Sequence, residues 1–510
     1  MNVLLSLLQK SPDYMQLLQA VEAKQAAAVS GLSQAPRSHV LAALHEHSGR
    51  PLVAVCQDDL AASRLASELG AFLGEQPPVL PSRELTLAGA IGVSRQWEQK
   101  RLRLLYALAQ GQVPVLVTSL DALLLRTMPR EVLFSASVRL RCGAEYNVDD
   151  LVARLTRAGY TRSSLVEGVG QFALRGGILD VYSPACENPL RAEFFGDELD
   201  TMGYFDPITQ RRTENVEEAV LLPVAETEAH LHPQGTAGLC EDLRAIIARQ
   251  QRRKTPNQAL IDTLQKDCEA LENETLFASA DRYMALIYPE FTTAAAYLSQ
   301  EAVVAFCDHG NLQRAEKEKA EEFGLLLDSF LTSGTLFGEL CDYYGSIEDL
   351  AAQLRGRAVV YCDGFLAARY PESLPPKKLL SFTARQLPGY GGSLETAASD
   401  LKNYTANQYG SIVLCGGQRR GEILKDLLAQ NGLNALLAFP LTKLPQPGQI
   451  LLAPGSLPAG LEYPTLKFAI LTEGQIAVRQ ERKKTRAPKK ATNRKKLDSF
   501  TDLTPEDLVV

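Results

Sequence analysis

The chain has little that could hold a metal or span a bilayer. Its nine cysteines are scattered, with no Cys-x-x-Cys pair and no histidine at ligand spacing. That excludes a zinc-finger type of site and fits buried thiols in a reducing, cytoplasmic setting. No apolar run reaches the ~18 residues of a transmembrane helix. The first ten residues, Met1–Lys10, lack a basic n-region and are soon followed by Asp13. They read as an amphipathic helix rather than a signal peptide. Positive charge is scarce over most of the length. Ten Lys/Arg and one acid, Glu481, lie in residues 479–496, and the remainder carries 43 basic against 59 acidic residues, a balance of −16. An acidic body of this kind is unsuited to strong duplex-DNA binding.

What is present describes a multidomain globular protein. With 510 residues, 45% apolar and 22% charged, three or four domains are expected. Residues 1–28 read as mostly helical, broken at Pro12. Short apolar strands at 51–56 and 113–118 alternate with helices at 58–72 and 94–110, the pattern of an α/β domain with a parallel sheet. Near Leu133 the pattern changes to short alternating runs, including Ser137–Arg141. One helix intervenes at 149–158, capped by Asp149 or Asp150, and the meander lasts to about Pro223. Helices are expected at 238–253 and 257–271, separated by Pro256. A strand at 302–306, a helix at 311–327 and a strand at 358–361 follow. Residues 380–475 form a further α/β set with strands at 411–415, 449–453 and 467–471 and a helix at 419–431. Residues 479–496, with Pro488 and no apolar period, read as a basic linker. A flexible tether and a nucleic-acid contact are both open readings of it. Residues 497–510 begin a new apolar pattern, as in a truncated module.

Gly31-Leu-Ser-Gln-Ala-Pro36-Arg37-Ser38, ahead of a helix at 39–46, has the spacing of a phosphate-binding loop, Gly-x-x-x-x-Gly-Lys-Ser/Thr, with two positions changed. Such loops converge backbone N–H groups and a lysine on phosphate oxygens. Pro36 removes an N–H and fixes φ, and Arg37 puts a planar fork where an ammonium is needed. After the strand at 302–306, Asp308-His309 stands where a nucleotide hydrolase has Asp-Glu. With both halves impaired, no ATP hydrolysis is expected, although Asp308 also reads simply as a strand-end turn residue.

The most informative block is 172–206. It reads Phe172-Ala-Leu-Arg175-Gly176-Gly177-Ile178-Leu-Asp180-Val-Tyr182, a Pro/Asn turn, then Arg191-Ala-Glu193-Phe194-Phe195-Gly196-Asp197-Glu198-Leu-Asp200, ending at Phe205-Asp206. Short β runs joined by Gly-rich turns make an antiparallel meander. Strand alternation puts one of Phe194 and Phe195 inside and the other outside. Asp180, Asp197, Glu198 and Asp200 read as turn-setting and charge-pairing residues. Trp97, beside Arg95 and Arg101, reads as an anchor packing its helix on the sheet, with base stacking as the alternative.

This block, with Val93-Ser-Arg95-Gln-Trp97-Glu98 and Leu471-Thr-Glu473, resembles the family of bacterial transcription-repair coupling factors, in which a module is shared with the damage-recognition protein UvrB. The resemblance covers the whole chain and is most specific over 131–224. It implies an α/β multidomain fold: a degenerate RecA-like helicase domain (1–130 and 225–378) interrupted by a small α+β UvrB-like domain (131–224), then a small α/β domain (379–478). It further implies that Arg175, Arg191 and Phe195 contact UvrA, the alternative being that Phe195 is core and both arginines are merely solvated. Gly31, Pro36, Arg37 and Ser38 become a degenerate nucleotide loop, and Asp308 and His309 a degenerate acidic motif. The region is then an adaptor without catalysis, metal or cofactor of its own. ATP, Mg²⁺ and DNA translocation belong to a motor further along, and 497–510 opens a module that binds RNA polymerase. DNA contact by this region is weak or none. An active UvrB-type helicase and a plain α/β scaffold unrelated to repair are the rival readings.

Overall fold

Seven strands from both sides of the meander assemble one all-parallel sheet, in the order 378–381, 26–30, 358–362, 303–307, 52–56, 115–119, 79–80. The structure is a computed structural model describing residues 2–87, 96–273, 277, 279–367, 369–390 and 393–476. The basic segment 479–496, the residues 497–510 and the positions Val93–Arg95 lie outside the described residues. The central strands are near-continuous apolar runs because helices cover both faces. Val53, Val55, Val304 and Phe306 point to one core, which includes helices Gln96–Ala109, Gly235–Gln251 and Gln258–Glu272. Leu52, Ala54, Val303 and Ala305 point to the other, which includes helices Pro12–Glu22, Gln34–Ser48 and Asp59–Leu73.

Several sequence expectations shift here. The N-terminal stretch read as helical ends in strand Ala26–Ser30, whose alanine run favours a helix locally but is overridden by pairing on both sides. Pro12 opens the second helix at its first turn instead of simply breaking one. Strand Lys378–Ser381 pairs with Ala27–Ser30, so the domain boundary expected at 378/379 falls inside a strand of the first sheet. The helix expected at 149–158 spans Val148–Arg157 and is capped by Asn147, whose Oδ1 accepts from Asp150 N–H at 3.0 Å.

The inserted module hangs on two antiparallel strands, Val138–Arg141 and Glu218–Leu221. Between them the chain forms a six-stranded sheet ordered 212–215, 198–205, 190–195, 178–181, 171–175, 161–162, antiparallel except for its last pair. Its inner face carries Phe172, Leu179, Val181, Leu190 and Ala192, against Leu151 and Leu155 of the helix. A second α/β unit has a mixed six-stranded sheet ordered 385–386, 461–463, 468–472, 410–415, 450–454, 435–437. Ile412, Leu414, Leu461 and Ile470 of that sheet join the second core of the first one, so the two units share apolar packing.

Candidate functional site

Strand alternation places Arg175, Ile178, Asp180, Arg191, Glu193 and Phe195 on the outer face of the meander. Phe194 turns inward, packs on the module core and meets Tyr146 edge-on at 6.4 Å. Phe195 is 85% exposed at the hairpin tip, where Gly196 takes φ +65°. The neighbouring tip at 176–177 lies beside it, with Phe194 N–H donating to Gly177 C=O at 2.7 Å. A Cβ on Gly177 would meet the Phe194 carbonyl oxygen at 2.7 Å, so the close approach of the two tips needs glycine.

The two arginines are not free. Asp180 is only 1% exposed and accepts from Arg191 Nε at 2.7 Å and Nη2 at 2.9 Å, and from Arg175 Nη2 at 2.7 Å. Arg191 also lies over the Phe205 ring, 4.6 Å from its centroid. Its fork is therefore engaged within the module, and these hydrogen bonds hold its pKa above the ordinary value. Arg175 is about half exposed and keeps free donors. Of the three candidates, Phe195 is the fully presented side chain.

The nucleotide-like loop has a different geometry from the expected one. The helix starts at Gln34, not His39, so Pro36, Arg37 and Ser38 lie in its first turns. Gly31 takes φ +81°, with space for a Cβ closed by the Phe382 carbonyl oxygen. Gly31 and Leu32 N–H donate to the carbonyls of Gly364 and Asp363, and Ala35 N–H to Gln386 Oε1 at 3.4 Å. Arg37 Nη1 reaches Asp308 Oδ2 at 2.5 Å, and Ser38 Oγ bonds Glu68. His309 is buried against Phe306, Tyr361 and Tyr370, and burial lowers its pKa to about 4. No group of three or more ligating side chains is placed to hold a metal among the described residues.

The lone tryptophan is not the anchor. Trp97 is 65% exposed with Lys100 over its ring, and Arg101, one helical turn on, is the sealed member. Arg101 donates to Glu226 Oε1 at 2.5 Å, Thr127 Oγ1 at 2.8 Å, and the carbonyls of Pro81 and Ala122. Arg83, Glu98 and Asp281 complete the cluster. Burial, opposed by Arg83, raises Glu98 to about 7. Glu226 N–H donates to Glu98 at 2.8 Å, so this cluster ties the module's exit to the first α/β unit. Sequence reasoning missed it because its members are far apart in the chain; the only local signal is an arginine on a helix's apolar stripe.

The sequence of the module decides what it is like. Residues 138–226 match the UvrB interaction domain. The inserted module is of the UvrB-interaction type. Over its whole length the chain is also similar to transcription-repair-coupling factors, with 24% identity to that of Bacillus subtilis over 520 residues and 25% to that of Staphylococcus aureus (strain USA300) over 518. Each alignment takes in 100% of this chain and 43% of the relative. The chain thus spans less than half the length of these curated relatives. Among the described residues, no helix is long and apolar enough to cross a membrane.

Proposed function

We propose that this chain is the adaptor region of a transcription-repair coupling factor, and that its UvrB-interaction-type module docks UvrA during nucleotide excision repair. The observation that carries this reading is Phe195, held almost fully exposed on a module that matches the UvrB interaction domain. A rigid aromatic at a hairpin tip, flanked by Ile178 and the free donors of Arg175, has the makings of an interface hot spot. In this reading RNA polymerase, DNA translocation and ATP turnover belong to the rest of the protein. The site at Gly31–Ser38 and Asp308 takes no part in hydrolysis. Supporting this, the Arg37–Asp308 pair and the internal bonds of the Gly31, Leu32 and Ala35 N–H groups use the groups a phosphate would need.

The experiment is retention of UvrA on the immobilised chain, with Phe195→Ala and Arg175→Ala alongside. Retention by the unaltered chain and loss of about 30-fold or more in affinity for Phe195→Ala is expected, corresponding to ~2 kcal/mol. No retention by the unaltered chain sinks the reading. Titration with a fluorescent ATP analogue and Mg²⁺ is expected to show no saturable binding. Binding that Arg37→Ala abolishes would favour the active-helicase alternative.

A further inference from the structure

Three of the nine cysteines stand in a row across the middle of the parallel sheet. Cys307 and Cys362 are direct cross-strand partners. The ladder between 52–56 and 303–307 pairs Val55 with Phe306, which puts Cys56 and Cys307 opposite each other one step on. All three thiols point into the same core. Neighbouring strands are ~4.8 Å apart, so the sulfurs of such a row lie within reach of each other. The row ends the strands beneath the Arg37–Asp308 pair, and Asp308 follows Cys307 directly.

We propose that Cys307 and Cys56 form a peroxide-sensitive thiol pair that closes to a disulfide across the two central strands. Cys56 is the assigned partner because it and Cys307 both keep 4% exposure at the sheet's C-terminal edge, whereas Cys362 is sealed at 0%. The neighbouring Cys56 thiol first, and the Arg37 charge with it, draw Cys307 below the ordinary thiol value against the effect of burial. In the reaction the Cys307 thiolate attacks one peroxide oxygen. The O–O bond breaks, hydroxide leaves and takes up a proton, and Cys307 becomes a sulfenic acid. Cys56 sulfur then attacks the Cys307 sulfur, the S–O bond breaks, and a second water leaves with the Cys56 proton. Two thiols and one hydroperoxide give one disulfide and two waters, or one water and an alcohol when the hydroperoxide is organic. A disulfide prefers Cβ atoms about 3.8 Å apart, closer than the ~4.8 Å strand spacing. Closure therefore strains the sheet, and a strained bond is readily reduced, which makes the pair reversible.

The test treats the folded 510-residue chain with hydrogen peroxide, counts thiols after denaturation and maps the peptides by mass. Loss of two of the nine thiols is expected, in a peptide joining Cys56 to Cys307 and recovered by dithiothreitol. Cys307→Ala is expected to keep all its thiols, and Cys56→Ala to lose only the Cys307 thiol, oxidised without forming a joined peptide. An unchanged count, a link from Cys307 to Cys362, or a link between Cys240 and Cys268 overturns the assignment. If either variant misfolds, the peptide map of the unaltered chain decides alone.

Discussion

Replacing Arg191 by alanine separates a docking residue from one that holds the docking face together. Arg191 covers a carboxylate that is 1% exposed and supplies two of its three hydrogen bonds from arginine. Removing one partner of a buried charge pair costs ~3–5 kcal/mol, because the remaining charge stays desolvated. Arg175 continues to donate to Asp180 and Arg191 is itself a fifth exposed, so the low end, about 3 kcal/mol, applies. The change is local, and in a chain of several units a single melting curve does not isolate it. Amide hydrogen exchange over strands Ile178–Val181 and Leu190–Phe195 does. At about 1.4 kcal/mol per tenfold, protection in those strands is expected to fall by roughly a hundredfold, while strands 303–307 and 410–415 keep theirs. Asp180→Asn combined with Arg191→Ala is expected to recover part of the loss, since no buried charge is then stranded. Unchanged protection in Arg191→Ala, together with lost UvrA binding, would refute this reasoning and make Arg191 a contact residue.

Phe195→Ala is expected to leave exchange rates and thermal stability within about 1 kcal/mol, because only some 15% of the residue is covered. Its effect belongs to UvrA affinity, and a large stability loss would count against a free tip. His39 is buried between the Leu4 carbonyl, at 3.0 Å from Nε2, and the Tyr463 hydroxyl, at 2.9 Å from Nδ1. Burial lowers it to about 4 from 6.5, so the unfolded chain binds more protons between those values. Its contribution is complete above about pH 6.5 and is lost as pH falls toward 4, about 3 kcal/mol in all. Urea midpoints at pH 7 and pH 4.5 are expected to converge in His39→Gln relative to the unaltered chain. Equal pH dependence in both contradicts this. Arg101→Met strands Glu226 and is expected to cost ~3–5 kcal/mol in urea unfolding, partly restored by adding Glu226→Leu; additive losses would dismiss the pair.

Long apolar strands and the helices between them were legible because parallel sheets buried on both faces write themselves as local runs: 52–56, 303–307 and 358–362 fall within a residue or so of their expected places. The meander was legible through its turns. Ala26–Ser30 was not, since an alanine run has no β signature, and its strand character comes from neighbours at 358–362 and 378–381. At the site, alternation split Phe194 from Phe195 without saying which faced out. The engagement of Arg191 by Asp180 was hidden for another reason. Eleven residues and a turn separate them, and only the strand register brings them together. The exposure of Trp97 beside the sealed Arg101 runs against residue-type averages, and only three-dimensional packing reveals it.

The stalk on which the module hangs sets an order of events during synthesis. Val138–Arg141 and Glu218–Leu221 close the module on itself, so it has every strand it needs once residue 221 has left the ribosome. The large sheet is in the opposite position. Ala26 must wait for Val359, and Val53 for Val304. Through that interval strand 26–30 lacks both its neighbours and strand 52–56 has only 115–119 beside it, while a finished module stands between the two halves. The insertion thus gives the nascent chain an early folded landmark, around which the slower, long-range sheet closes last.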